Sequence, residues 1–573
     1  MTGRTDAVPD PPTFLAALDS GGLTPELLRH FPTSEPADRK AGDEVLADLD
    51  RLLREWIDPE QVDRTGELPD GFLDELRRGG YLKLRNSAAI GGLELSAHEA
   101  FRVIEHAAGW SMAAGQILAV QAGVGAPALI PALPPGPLLD FVNERIGGGA
   151  VSGFGLTEPT GQNNTWPGMT ATLSAEGTHY ELRGSKVFTG NGPVADLLPV
   201  AATEHTAEGR RLCICFVDTR TPGFEVTSRI EFTGSRGLPN GALRFHRVPV
   251  PVEHVVRGPL ENPAFPEAMR DQVTIGQLYF TAAPALAIAK LCREWSGDFV
   301  ARRKVNGRNL GEYDAIRRIV ATTLAEVFAM ESVVRWSLLA SGPADRWFER
   351  TVAKNLLVRS CWRTVDRTVS LYGAEGIETV PSKLRRGAPP VPLERRLRDA
   401  RGLRIAGNVD FQLDAQAARR LLSRYSTDPA AATAQPAPPG SMPALSAANR
   451  AHLAAVEEQL RAFRQTCRAL VDRYPDLELL FERQHTVILI GRIAAELFAA
   501  FATLASAGSA DGGDEAAVEE NQGLADVYCT VARHRLADHW RQLTGDTEPD
   551  YAAISHRWLS GRTTPSPRTG CEQ

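Results

Sequence analysis

The stretch His179-Tyr180-Glu181-Leu182-Arg183-Gly184-Ser185-Lys186-Val187-Phe188-Thr189-Gly190-Asn191 settles how the rest of the chain is read. Tyr180 and Leu182 alternate with polar neighbours, the period of two that marks a strand with one buried face. Leu243-Arg244-Phe245-His246 repeats the alternation, and Gly and Pro punctuate the residues between as turns. A β-domain is therefore expected over 150–255. On either side the period becomes helical. Val45, Leu46, Leu49, Leu52, Leu53 and Trp56 recur at spacings of three and four, as do Phe72, Leu73, Leu76 and Leu82, until Gly91-Gly92 interrupts. Downstream, Gln277 to Arg302 and Ala315 to Ala340 are apolar enough to pack as a bundle.

The expected organisation is a variable N-terminal segment (1–42), a helical domain (43–149), the β-domain (150–255) and a helical bundle (256–427). A Pro/Ala-rich linker (428–445), a further helical domain (446–560) and a disordered tail (561–573) complete it. The fold class is α+β, mainly α. At 573 residues the chain is too long for one core. With 63 Lys and Arg against 70 Asp and Glu, its net charge of -7 argues against a nucleic-acid partner. Apolar stretches such as Tyr279 to Ala289 fall short of the ~20 residues that span a bilayer, and Met1 to Pro12 carries Asp and Pro, so no membrane span and a cytoplasmic location are expected. The seven cysteines form no Cys-x-x-Cys pair, and no His cluster has ligand spacing, so neither disulfides nor a metal are expected. Cys213 and Cys215 read as strand residues.

Six segments, in order, resemble the acyl-CoA dehydrogenase family. Phe154-Gly155-Leu156-Thr157-Glu158-Pro159 is similar to the segment that lies along the flavin, Gly184 to Asn191 to the Gly-x-Lys-x-Trp-Ile-Thr-Asn strand, and Arg247 to Pro251 to the exit from the β-domain. Arg303 to Gly307 resembles the Arg-x-x-Phe-Gly element, Tyr372 to Gly376 the adenosine-binding turn, and Arg398 to Arg401 the approach to the catalytic loop. The resemblance covers roughly 43 to 425 and implies the acyl-CoA dehydrogenase fold, with an N-terminal helical domain, a middle β-domain and a C-terminal four-helix bundle. Leu480 to Arg483 and Thr486 to Ala507 resemble the extra helical domain of very-long-chain members, which implies a homodimer.

By the same resemblance the cofactor is FAD. Phe154, Leu156 and Thr157 would flank its ring, Asn163 would stand for a phosphate-facing Ser, and Phe188, Thr189 and Gly190 would take the Trp-Ile-Thr positions, with the hydroxyl that meets N5 moved to Thr189 or lost. Arg303 would reach the pyrophosphate of the neighbouring subunit's flavin, where its donor fork suits an anion. Ser370, Gly373 and Asn408 would complete the cofactor site, Ser370 replacing a Gln.

The catalytic Glu is missing from both of its family positions. Depending on where the loop is aligned, Ala406 or Gly407 occupies the first, and Gln277 the second; none can take a proton at neutral pH. Asp410 is either a helix cap or a relocated base, and Leu278 stands where a substrate-contacting Arg is frequent. Three enzyme readings follow. A β-keto acid that loses carbon dioxide generates its carbanion without a base, as in the family's epoxyketone-forming relatives, with monooxygenation as a following step. The second is α,β-dehydrogenation of a CoA- or carrier-bound acyl thioester, and the third is monooxygenation resembling the nitrososynthases. A flavin-free scaffold or partner subunit is the non-enzyme alternative.

Overall fold

The computed structural model describes residues 13–29, 31–162, 164–339, 346–427, 445–509, 515–545 and 549–561. The N-terminal part contributes α1 (Phe14–Ser20), α2 (Pro36–Trp56), α3 (Ala97–Trp110) and α4 (Met112–Gly123). The second of these starts at Pro36, ahead of the boundary expected at 43. A proline suits a first turn because it has no N–H to leave unpaired, but exposed Asp38, Arg39 and Lys40 give that turn no apolar period to read. α1 lies within the segment expected to be variable, yet its Phe14 is fully buried against Phe348, Phe498 and Phe501, and the Phe14 N–H donates to Glu349 Oε1 at 2.7 Å.

The middle of the chain forms a seven-stranded sheet in the order β5-β6-β2-β1-β3-β4-β7. The strands are β1 (Thr170–Leu173), β2 (His179–Gly190), β3 (Leu197–Thr206), β4 (Gly209–Asp218), β5 (Phe224–Arg229), β6 (Asn240–Pro251) and β7 (Val255–Leu260). β1 runs parallel to β3 and the other pairs are antiparallel. Tyr180, Leu182, Leu243 and Phe245 fill a core on one face, together with Cys213 and Cys215; Leu197, Ala201 and Phe216 pack on the other.

In the bundle α5 (Glu267–Gln277) passes through a π-helical turn, Leu278–Ala282, into α6 (Ala283–Arg302). Next come α7 (Asp314–Leu339), α8 (Trp347–Tyr372), α9 (Leu393–Leu403) and α10 (Asp410–Thr427). A two-residue hairpin joins Lys304–Val305 to Arg308–Asn309, with Asn306 and Gly307 both left-handed at φ 50° and 77°. The expected linker lies outside the described residues up to 444, as does the tail from 562. The C-terminal part adds α11 (Ala447–Arg473), α12 (Gln484–Ala507), α13 (Glu515–Thr544) and α14 (Tyr551–Ser560).

One expectation is corrected. Among the described residues three helical stretches, Met112–Ala132, Glu267–Arg302 and Gln484–Ala507, are long and apolar enough to cross a membrane. Of their most apolar windows 89%, 78% and 83% is buried inside the protein. A helix apolar on all sides is what the centre of a large all-helical core requires.

The C-terminal helices are tied to the bundle by charge as well as apolar packing. Glu326 on α7, 1% exposed, pairs with Arg363 at 2.8 Å, Arg367 at 2.6 Å and Arg535 of α13 at 3.9 Å. Burial opposes its ionisation, but the three arginines more than reverse this and hold its carboxyl down at about 2. Glu326→Gln should lower stability by about 3–5 kcal/mol by leaving buried guanidinium groups unpaired. Because the pKa is depressed on folding, this advantage of Glu over Gln exists above about pH 4.5 and vanishes as the pH falls through about 2. Denaturant unfolding of both proteins across that range checks it.

Candidate functional site

On the β-domain side the Phe154–Glu158 segment is fixed by one buried ion pair. Lys186, 0% exposed on β2, donates to Leu156 O at 3.1 Å and to Glu158 Oε1 at 2.8 Å, while the Glu158 carboxylate accepts from the N–H groups of Gly168 and Met169. Burial raises the Glu158 carboxyl, but these donors outweigh it and leave it below the usual range; burial also lowers Lys186. The Val187 N–H donates to Thr157 O at 2.9 Å, so segment and strand run together. Among the described residues nothing accepts from the N–H of Leu156 or Thr157.

Between Lys186 and Thr189 the register of β2 against β6 shifts, and Phe188 takes φ 57°. This turns the Phe188 ring outward, 56% exposed, beside Phe232 at 6.2 Å. Thr189 points the other way, 2% exposed, and its hydroxyl has no partner among the described residues. Gly190 and Asn191 follow under α4: the Asn191 side chain donates to Ile117 O and Ser152 O. Phe154 packs against Phe265 at 5.9 Å. A half-buried segment with free N–H groups beside an outward aromatic ring is a cradle for a planar group with acceptor atoms at its edge.

On the helical side the structure brings together Gln277 and Gly407, two of the positions singled out in the sequence. The Gln277 amide, at the end of α5, donates to Gly407 O at 3.1 Å. Gly407 has φ 63°, a conformation costly for other residues, and a Cβ there would stand 3.6 Å from Thr281 and 3.7 Å from the Gln277 side chain. The adjoining π-helical turn is a backbone irregularity of the kind often retained at functional sites.

The loop from Arg404 to Asp410 is held from behind by α8. Lys354 donates to Asn408 O at 2.8 Å, and Asn355 to Asp410 O and Asp414 Oδ1. Asp410, 6% exposed, pairs with Arg404 at 2.7 Å and Arg359 at 3.3 Å; Asp414 pairs with Arg359 and, at 3.1 Å, with Arg492. Burial raises the Asp410 carboxyl, but the arginines more than reverse that; burial pushes Lys354 down to about 8. The candidate relocated base is thus an ionised, fully engaged anchor: its Oδ1 accepts from Phe411 N–H and its Oδ2 serves both arginines. Sequence reasoning missed Lys354, Asn355 and Arg359. Their signal was present: Lys354 and Asn355 interrupt the apolar run Val352 to Val358, and Arg359 ends it.

The remaining candidates lie apart from this pair. Arg303 is exposed at the end of α6, with no side-chain partner among the described residues. Ser370, near the end of α8, is exposed, and Gly373 follows it at φ 60°. Asn408 has φ 82° and caps its own neighbour, Val409 N–H. Ala406 is half-buried in the loop, and Asn163 lies outside the described residues.

Two family models match: acyl-CoA dehydrogenase, middle domain, over residues 153–248, and acyl-CoA dehydrogenase, C-terminal domain, over 279–422. A probable acyl-CoA dehydrogenase of Mycobacterium tuberculosis is 29% identical over 430 residues, covering 73% of this chain and only 64% of that relative's length. A 3-sulfinopropanoyl-CoA desulfinase of Advenella mimigardefordensis is 23% identical over 372 residues, 63% of this chain and 88% of the relative. Among solved structures, an acyl-CoA dehydrogenase from Bacillus anthracis complexed with FAD matches in fold with a TM-score of 0.73 at 16% identity, covering 96% of this chain and 95% of that one. The butyryl-CoA dehydrogenase of Megasphaera elsdenii matches 68% of this chain with 99% of its own, at 20% identity and a TM-score of 0.58.

Asp410→Asn should lower stability by about 3–5 kcal/mol, because Arg359 and Arg404 lose a buried counter-charge. If the residue only anchors the loop, folded variant retains its pH–rate profile. Thermal unfolding and that profile, measured together, separate an anchor from a base.

Proposed function

The chain belongs to the acyl-CoA dehydrogenase family, and from that premise we propose that it is an FAD-dependent oxidoreductase acting on a β-keto acid, free or carrier-bound. Its substrate would generate the carbanion by losing carbon dioxide instead of giving a proton to a protein carboxylate. The observation that carries this reading is the contact of Gln277 with Gly407: by the family resemblance Gln277 stands at one base position and Gly407, or Ala406 before it, at the other, and this contact offers an amide and a bare glycine.

The surroundings support an anionic substrate. Lys354, Arg359, Arg404 and Arg492 gather behind the loop against the two carboxylates of Asp410 and Asp414, an excess of positive charge when Lys354 is protonated. Among the described residues the two aspartates of this loop and helix, Asp410 and Asp414, are both paired with arginines, so neither would stand as an unpaired anion against a substrate carboxylate approaching Gly407. The neutral Gln277 amide holds the loop in place through a carbonyl and costs the substrate no repulsion. The relative named a desulfinase is consistent with a fold whose members also release an acidic group from an acyl chain.

FAD would be held by Phe154, Leu156 and Thr157 at its ring, with Phe188 as the aromatic wall and Gly190 allowing close approach. It would supply the two-electron acceptor. Thr189 is buried and its hydroxyl has no partner among the described residues, so it would be the hydroxyl that meets the ring edge. On this reading the protein is a cytoplasmic homodimer in which exposed Arg303, with Ser370 and Gly373, serves the second copy's cofactor.

Anaerobic incubation with a β-keto acid should bleach the flavin in step with carbon dioxide release. Ala406→Glu and Gly407→Glu should bring no gain and lower turnover, since a carboxylate would face the substrate's own. Alpha-proton exchange on an acyl thioester without carbon dioxide release, raised ~10²- to 10⁴-fold by Ala406→Glu, would show that ordinary α,β-dehydrogenation is the reaction.

A further inference from the structure

Lys354 on α8 is a buried cation whose place charge balance does not explain. It is 0% exposed, and among the described residues its ammonium has one hydrogen-bond acceptor, the Asn408 carbonyl at 2.8 Å, and no ion-pair partner. Asp410 and Asp414, which face it from α10, are taken by Arg359 of its own helix, Arg404 of the loop and Arg492 of α12. On α5, Asp271 is engaged by Arg350. Three arginines against two aspartates already leave a positive surplus behind the loop, so a further cation there is opposed by its neighbours. A leucine or methionine would fill the same space without carrying an ammonium out of water.

What Lys354 holds is the most contorted stretch of the site. Gly407 and Asn408 are consecutive left-handed residues, at φ 63° and 82°. A residue other than glycine keeps that conformation only where its surroundings enforce it. Two helices do so at once: the Gln277 amide of α5 donates to the Gly407 carbonyl at 3.1 Å, and Lys354 of α8 to the next carbonyl along. Asn355, beside Lys354, donates to the Asp410 carbonyl, so α8 meets the loop again two residues on. An ammonium makes roughly twice as strong a hydrogen bond as a neutral donor, and its four-carbon stem lets it reach an irregular segment from within a helix.

We propose that Lys354 is a positioning residue for the reaction, keeping the loop from Arg404 to Asp410, through the Asn408 carbonyl, in the shape that sets Gly407 against Gln277; this rests on reading that pair as the place where the substrate reacts. Burial pushes the Lys354 ammonium down to about 8, so its proton is lost and its bond to Asn408 weakens as the pH rises through that value. The effect on stability has the opposite sign to that of a structural ion pair. Because the pKa falls on folding, the charged form destabilises the fold in full below about pH 8, and this cost fades as the pH rises toward the unfolded value. Lys354 therefore lowers stability at neutral pH while fixing the position of one loop.

The test compares the full-length holoenzyme with its Lys354→Met and Lys354→Arg variants. Anaerobic flavin bleaching is followed with two probes, 2-methyl-3-oxobutanoate and butanoyl-CoA, across the titration of Lys354. At neutral pH Lys354→Met should lower kcat ~10- to 100-fold with KM little changed, the scale of loss a slightly misplaced site produces. Its unfolding midpoint should not fall, and in hydrogen exchange only the peptide spanning 402–412 should exchange faster than in the wild type. The wild-type kcat should fall above about pH 8, and Lys354→Arg, charged throughout, should keep its own there. Bleaching by the thioester alone would count against the β-keto acid reading and leave Lys354 untouched, since its effect is expected with whichever probe reduces the flavin. If neither does, exchange at 402–412 decides, as it does if the larger arginine prevents folding. Unchanged kcat or unchanged exchange at 402–412 in Lys354→Met overturns the proposal. So does a lowered midpoint with faster exchange throughout the bundle, which would make the role structural.

Discussion

Helix α9 is where the N-terminal helices, the β-domain and the bundle are locked together, and its side chains do it with backbone and carboxylate groups from the other two. Arg396 donates to the carbonyls of Ala108 and Trp110 at the end of α3, and Arg398 pairs with Asp63 at 2.7 Å and donates to Thr233 O of the β-domain. Asp399 accepts from Ser235 N–H at 2.8 Å. Burial lowers Arg396 and raises Asp399, so each charge is held at a cost that their mutual pairing and the captured oxygens must offset. What the arrangement secures is geometry: Gly234 lies so close to the Arg398–Asp399 backbone that a Cβ would come within 2.6 Å of the Arg398 carbonyl. The β-domain cannot slide over the bundle without breaking these contacts.

With that joint fixed, the site is built from backbone as much as from side chains. Lys186 holds the Leu156 carbonyl, Gln277 the Gly407 carbonyl and Lys354 the Asn408 carbonyl. Each is a long polar side chain reaching out of a regular element to steady an irregular segment. The loop from Arg404 to Asp410 is thereby held in shape from both sides. The aspartates near it are spent on arginines, so the local field is set by cations behind the loop and not by a titrating group within it.

The C-terminal helices follow a different logic. α12 is apolar on nearly all sides and packs into the bundle, where a Cβ at Gly491 would come within 2.2 Å of Asp414 O. The Arg535–Glu496 pair at 2.9 Å ties α13 to α12, and the buried Glu326 of α7 pairs with the same Arg535. This unit is thus continuous with the core.

Taken alone, the sequence determined the order of the parts, because the period of apolar residues shifts from helical to two and back, and that shift survives any detail of packing. It also determined that none of Ala406, Gly407 and Gln277 can take a proton at neutral pH in any conformation. It contained the Asn306-Gly307 hairpin as well, since Asn and Gly are the residues that take the left-handed conformation such a two-residue turn needs. Tertiary structure alone decided that Gln277 and Gly407, 130 positions apart, touch, and that Asp410 is an anchor instead of a free carboxylate. It also decided that Phe188 faces outward while Thr189 turns inward, and that three membrane-length helices are buried in protein. The physical reason is common to all four: spacing along a chain reports which face of an element is apolar, whereas the partner of a charge, an amide or an apolar face is chosen by what the fold brings next to it.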